Sequence, residues 1–250
     1  MLLFFNKIML FFKKKVNCFS ITNLNNVDKK PDAVFFDYDG TISDNSKYLV
    51  KAFNYTIKVN FDKKKDKKLI KAIKKIKKDS EKWSYIKKNC PLKVFAKCNE
   101  DYDNYIARQK ICIVKGILNV LKFFKKHNIP MMVVSQKRGD GLRNELKRVK
   151  LDKYFVKAYG TLDFGEAQKP SKEFVNSVRK DSKTKTKFCW MIGDRCSDVE
   201  TGLNMNGVIF IIDDGEAEKI YKEHADKIGK KIFFTKYRTL LTFLKKMFKN

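Results

Sequence analysis

Histidine is nearly absent from this chain of 250 residues, which carries only His127 and His224. The six cysteines, at 18, 90, 98, 112, 189 and 196, form no C-x-x-C pair. Zinc-site spacing is therefore excluded. Both histidines lie in charged, lysine-rich surroundings and are expected at the surface rather than in catalysis. Cys112 and Cys189 sit inside apolar runs, where a thiol behaves as a small hydrophobe, so a reduced, cytoplasmic state is expected. No apolar run approaches the roughly 18 to 20 residues that cross a bilayer, which excludes a membrane-spanning protein. Acid is scarce too: 28 Asp and Glu against 56 Lys and Arg leave a formal charge of +28. Within that excess arginine is the rare member, with seven against 49 lysines. Only nine alanines stand beside many Asn, Ile and Phe, as codon bias toward A and T produces. Arginine is the better bidentate reader of phosphates, so charge alone does not make nucleic acid an expected partner. A solvated lysine surface whose field attracts small anions is the simpler reading.

What is present can fold. Apolar residues make up 43% of the chain and aromatics 13%, enough to bury a core. Residues 1–31 stand apart: Met1 to Phe12 is apolar except for Asn6 and Lys7, three lysines follow, and the first acid is Asp28. This stretch lacks a small-residue cleavage site and any arginine, and is expected to be a disordered or loosely bound leader. From Pro31 onward short apolar runs alternate with helical periodicity. The runs are Ala33 to Phe36, Met131 to Val134, Lys187 to Ile192 and Val208 to Ile212, with a weaker one at Phe155 to Tyr159. They predict strands buried on both faces. Helices are predicted over Gly116 to His127, Gly141 to Val149, Pro170 to Lys180 and Ser197 to Met205. Such alternation implies an α/β fold with a doubly wound parallel sheet.

The interval 47–110 breaks the alternation. It has helical periodicity without a strand signal, and Leu69, Ile70, Ile73 and Ile76 form one apolar face. Its 20 basic and seven acidic residues hold nearly half of the net charge. The expected organisation is a core of 32–46 and 111–250 with an all-helical insert at 47–110. Near the end of the chain, Leu240, Leu241, Leu244, Met247 and Phe248 form an amphipathic stripe suited to a helix packed on the sheet.

In open parallel sheets ligands bind outside the carboxyl ends of the strands, so the residues ending each run carry the functional information. They read Asp37-Tyr38-Asp39-Gly40-Thr41, Ser135-Gln136-Lys137 and Gly193-Asp194-Arg195-Cys196-Ser197-Asp198, with Lys169 before Pro170 at a helix start. Asp37 and Asp39, two apart at a strand end, are able to project to one side. Crowded carboxylates there would need a cation or a shared proton. Two plainer readings stand beside these: D-x-D-G suits a turn, and Ser197-Asp198-Val199-Glu200 suits a capping box with an acid favoured by the helix dipole.

Taken together and in this order, the four motifs resemble those of the haloacid dehalogenase superfamily, specifically its phosphatase branch with a helical cap, the phosphoglycolate phosphatase-like proteins. The resemblance covers about Ala33 to Gly207. It implies a Rossmann-like hydrolase core and an inserted cap that sets the substrate. It further implies that Asp37 attacks phosphorus to form an aspartyl-phosphate and that Asp39 serves as general acid and then base. A dehalogenase has no need of that second aspartate. Ser135, through its hydroxyl and the backbone amides that follow it, would hold the phosphoryl oxygens, and Lys169, in an extended position before its proline, would line the site as a catalytic residue. Magnesium (Mg2+) would be bound by Asp37, the backbone carbonyl of Asp39 and Asp194, with Asp198 helping indirectly or through water. The expected activity is magnesium-dependent hydrolysis of a small phosphorylated metabolite, phosphoglycolate-like or a sugar phosphate. A phosphomutase of the same family is the nearest alternative. A phosphatase of nucleic-acid ends and a non-catalytic basic nucleic-acid-binding protein are further ones.

Overall fold

A run of four apolar residues with no polar face is stable only between two layers, and Ala33–Phe36 (β1) is fully buried along its whole length. Val34 and Phe36 enter one core and Ala33 and Phe35 the other. The computed structural model describes residues 22–76, 79–184, 186–212 and 215–249. Among these, five more strands join β1: Met131–Arg138 (β2), Lys157–Thr161 (β3), Cys189–Gly193 (β4), Val208–Ile211 (β5) and Ile232–Phe234 (β6). The order is β3-β2-β1-β4-β5-β6 and every pairing is parallel. Strand order reverses around β1, which lies between β2 and β4, and the carboxyl ends of β1 and β4 flank the resulting crevice.

The chain divides into two compact units, one of Met1–Asp44 with Ile113–Asn250 and one of Asn45–Cys112. The second is the helical insertion after β1. Its helices are Ser46–Asn60 (α1), Lys67–Lys75 (α2), Asp79–Asn89 (α3) and Leu92–Ala107 (α4). Its small core joins Phe53, Ile57, Phe61, Ile73, Ile86 and Cys98. Trp83 packs edge-on against both Phe53 and Tyr102, with ring centroids 5.3 Å away in each case. Leu69, Ile70 and Ile73 do turn to this core, as their spacing predicts, and the lysines of the same helix are exposed on the other face.

In the first unit the remaining helices are Ile117–Lys126 (α5), Gly139–Arg148 (α6), Lys172–Ser182 (α7), Cys196–Asn204 (α8), Ala217–His224 (α9) and Tyr237–Met247 (α10). Apolar residues of α5, α6 and α10 line one face of the sheet, and those of α7, α8 and α9 the other. Trp190 of β4 is fully buried among Phe124, Phe210 and Phe243. Leu240 and Leu244 bury the stripe of α10. The element α9 and the edge strand β6 lie where the sequence predicts neither.

Two expectations are corrected here. Residues 1–21 of the expected leader lie outside the described residues, but 22–31 are not a disordered tail. The Thr22 amide and hydroxyl donate to the Phe234 carbonyl at 3.0 and 3.1 Å, and Leu24 and Val27 are buried. The edge of β6 offers unpaired backbone groups, and this segment satisfies some of them while adding two side chains to the core. The second concerns α8, whose N-cap is Arg195 rather than Ser197. Asp198 thereby becomes the third residue of the helix, and its carboxylate turns back to the preceding loop. Among the described residues no helix is long and apolar enough to cross a membrane.

Candidate active site

Asp37 follows β1 directly, and its amide donates to the Ile192 carbonyl at 2.9 Å, which ties it to the end of β4. Beyond it the chain turns tightly: the Ile42 and Ser43 amides both donate to the Tyr38 carbonyl, at 2.8 and 2.9 Å. Gly40 takes a φ of +93° in this turn, and a Cβ there would lie 2.3 Å from an Asp194 carboxylate oxygen. Only glycine combines that backbone conformation with so close an approach. At the end of β4, Gly193 plays the matching part, since a Cβ would meet the Asp198 carboxyl carbon at 2.2 Å.

These turns gather the carboxylates of Asp37, Asp194 and Asp198, with oxygens within 4.8 Å of one another and all three residues buried. Lys169 enters the cluster from the loop before α7, where it is joined to Pro170 by a cis peptide bond, and is itself 2% exposed. Its ammonium donates to Asp37 Oδ1 at 2.6 Å and to Asp198 Oδ1. The other Asp198 oxygen accepts the amides of Asp194 and Arg195 at 3.0 and 2.9 Å, so both oxygens of this residue are engaged. The Thr41 hydroxyl donates to Asp194 Oδ1 at 2.9 Å. Behind it, the buried Tyr237 hydroxyl donates to the Thr41 carbonyl at 2.8 Å.

The electrostatics are those of a cluster short of positive charge. Burial pushes the Asp37 carboxyl well above its ordinary range; Lys169 pulls it down, and the Asp198 and Asp194 charges raise it further. Asp194 is pushed up to about 6, first by burial and then by Asp198, against the lowering effects of Arg195 and Thr41. Burial works against the charge of Lys169, but Asp198 and Asp37 outweigh it and its pKa is raised. Two cations, the Lys169 ammonium and the Arg195 guanidinium, thus face three carboxylates. An all-oxygen donor set of this kind fits a hard divalent cation such as magnesium, which prefers carboxylates and keeps its own waters.

Asp39 lies elsewhere. The spacing of Asp37 and Asp39 predicts one crowded pair, but β1 ends at Phe36 and the turn carries the second aspartate away. Its side chain is 39% exposed and forms an ion pair with Lys137 at 3.7 Å. The Ser43 hydroxyl donates to its Oδ1 at 3.3 Å. The crowding arises instead from residues far apart in sequence. Ser135 is buried at the irregular end of β2, where pairing with β3 shifts register, and its Oγ accepts the Lys137 amide at 3.1 Å. Arg195 forms a local ion pair with Asp194 at 3.5 Å. Sequence reasoning assigned no part to Thr41, Lys137 or Glu145, whose carboxylate receives the Lys137 ammonium at 2.7 Å. A signal for Glu145 exists, since it shares the apolar stripe of α6 with Leu142 and Leu146.

A parallel sheet of order β3-β2-β1-β4-β5-β6, a helical insertion after its first strand and a buried carboxylate cluster at its switch point define a Rossmann-like α/β fold with a helical insertion and a candidate metal site. Residues 34–212 match the family model of the haloacid dehalogenase-like hydrolases, and the chain belongs to that family. Over 179 residues, 68% of this chain and 76% of its relative, it is 29% identical to the "Putative pyrophosphatase PpaX" of Caldanaerobacter subterraneus subsp. tengcongensis. Among solved structures, a "predicted phosphoglycolate phosphatase" of Haemophilus somnus superposes with a TM-score of 0.66 at 14% identity, covering 86% of this chain and 98% of its own. A "putative beta-phosphoglucomutase" of Thermotoga maritima superposes with a TM-score of 0.60 at 18% identity, with coverages of 86% and 98%. At these identities the two structures share the fold.

Proposed function

We propose that this hydrolase is a magnesium-dependent phosphatase that cleaves a small organic phosphate monoester through an aspartyl-phosphate on Asp37. The observation that carries the reading is the buried Asp37, held by Lys169 at 2.6 Å and crowded by Asp194 and Asp198. Asp37 uses a carboxylate oxygen to attack phosphorus, and the ester P–O bond breaks as Asp39 donates a proton to the leaving alkoxide. Water then attacks phosphorus, Asp39 takes its proton, and the bond from phosphorus to Asp37 breaks to release phosphate. Lys169 orients Asp37 and offsets charge on the phosphoryl oxygens. The Ser135 hydroxyl would hold the phosphoryl oxygens. Asp37 and Asp194 would hold magnesium, with Asp198 acting through Lys169 and the loop amides it accepts. The metal, when bound, neutralises phosphoryl oxygens and relieves the carboxylate crowding.

Asp39 favours phosphate over halide as the leaving chemistry, since an alkoxide needs a proton and a halide does not. The named activity of the Caldanaerobacter relative adds inorganic pyrophosphate to the substrates worth testing. The test is phosphate release from a panel of phosphorylated metabolites, pyrophosphate and phosphorylated oligonucleotides with magnesium. The proposal expects release from at least one small monoester, silenced by EDTA and restored by magnesium. It also expects a loss of at least about 10³-fold in Asp37→Asn, as removal of a nucleophile produces. A variant retaining more than about a tenth of wild-type activity would contradict the assignment. Conversion of a sugar phosphate to its isomer without free phosphate would make the protein a mutase instead.

A further inference from the structure

The second aspartate of the D-x-D motif is the group on which a leaving alkoxide depends, and its surroundings are built. The Lys137 ammonium lies 2.7 Å from Glu145 Oε1, 3.7 Å from Asp39 Oδ1 and 5.3 Å from the centre of the Tyr38 ring. Glu145 is 8% exposed and sits on the buried face of α6, between Leu142 and Leu146. A carboxylate in such a place is costly unless it is paired, so α6 commits it to Lys137. That bond fixes the far end of a side chain with four rotatable bonds, which otherwise would sample many positions at the mouth of the crevice. Lys137 itself leaves β2 just after Ser135, where the register shift breaks regular pairing. From the other side, Ser43 donates to the same Asp39 oxygen that Lys137 faces.

We infer that Lys137, held by Glu145, is a positioning residue for Asp39. It turns the Asp39 carboxylate away from the buried cluster and toward the leaving group, and the side chain of Asp39 therefore does not compete for the metal. The inference rests on the phosphatase reading and assigns within it a role that the strand-end motifs do not carry. The geometry gives the order of dependence: Glu145 acts on Lys137, Lys137 on Asp39, and only Asp39 on the substrate. A misplaced Asp39 slows hydrolysis of the aspartyl-phosphate whatever the ester, but it slows formation of that intermediate, the step that kcat/KM reports, only where the leaving group needs a proton. Esters of phenols with an electron-withdrawing group leave as stable anions and escape that need.

The experiment compares the full-length protein with Lys137→Met, Lys137→Arg, Glu145→Gln and the double variant Lys137→Met/Glu145→Gln, with magnesium. Two substrates are used, β-glycerol phosphate and p-nitrophenyl phosphate, and circular dichroism follows folding. The double variant removes both charges, so it remains informative if Lys137→Met alone leaves Glu145 uncompensated and unfolds. Lys137→Met and the double variant should lose about 10-fold or more in kcat/KM on the glycerol ester and less than about 3-fold on the aryl ester, since general acid catalysis contributes on the order of 10² or more. Glu145→Gln should shift the ratio in the same direction, and Lys137→Arg should restore much of it. Equal losses in kcat/KM on both esters in folded variants would overturn the positioning role. A wild-type protein that releases phosphate from neither ester would instead overturn the phosphatase reading on which the role depends.

Discussion

Asp194 is the residue at which burial, charge and stability meet. Its carboxyl is pushed up to about 6 from an ordinary 3.8, by burial first and by Asp198 next. A folded pKa above the unfolded one means that the favourable contribution is full below about pH 4 and is lost as pH rises through about 6. The metal-free wild type should therefore lose stability relative to Asp194→Asn between those two pH values. Urea unfolding of both proteins, with and without magnesium, reads this difference, and magnesium should reverse it for the wild type alone. A difference that does not change with pH would show that Asp194 is not strained by its neighbours. The identities of the clustered residues were legible because each ends or follows an apolar run, where a parallel sheet places its ligands. Their grouping was not. Alternation along a strand predicts Asp37 beside Asp39, but the turn at Gly40 separates them, and a turn's direction depends on contacts with Asp194 that no local pattern encodes.

The elements follow the same division between local and distant causes. Strands such as β1 and β4 were legible as apolar runs, and α5 and α10 as amphipathic stripes, because burial on one or two faces writes itself into periodicity. The strand β6 has three residues and α9 buries only Ala217 and Ile220 of its eight, too little pattern to register. Nothing local in 22–31 marks its anchoring, which depends on an edge strand more than 200 residues away. This segment gives an element-scale prediction. A chain beginning at Thr22 should be more stable than one beginning at Asp28 by roughly 3 to 6 kcal/mol. The difference comes from two buried apolar side chains at about 1.5 to 3 kcal/mol each. Thermal or urea unfolding of the two truncated proteins measures it, and identical midpoints would show that Leu24 and Val27 add nothing to the core.

At the scale of the molecule the charge of +28 meets a site built of carboxylates. The lysines of α2 lie on the face away from their own core, and a diffuse field of this kind draws small anions without holding a polyanion in register. Raising salt from about 50 to 200 mM should lower kcat/KM for a small dianionic ester only a few-fold, because a Debye length near 10 Å at 0.1 M screens distant lysines but not Lys169. Duplex DNA should leave turnover unaffected. A loss approaching about 10³-fold, with tight DNA binding that survives Asp37→Asn, would point to a nucleic-acid partner.

The central claim is that Asp37 carries the phosphoryl group in covalent linkage, and mass spectrometry after rapid acid quench tests it directly. Asp39→Asn, which lacks the base for the second step, is mixed with p-nitrophenyl phosphate and magnesium, quenched and digested. The account predicts the added mass of one phosphoryl group on the peptide containing Asp37, removable by hydroxylamine as an acyl phosphate is, and absent in Asp37→Asn. Turnover by the wild type with no such adduct in Asp39→Asn, or an adduct on another residue, would contradict it.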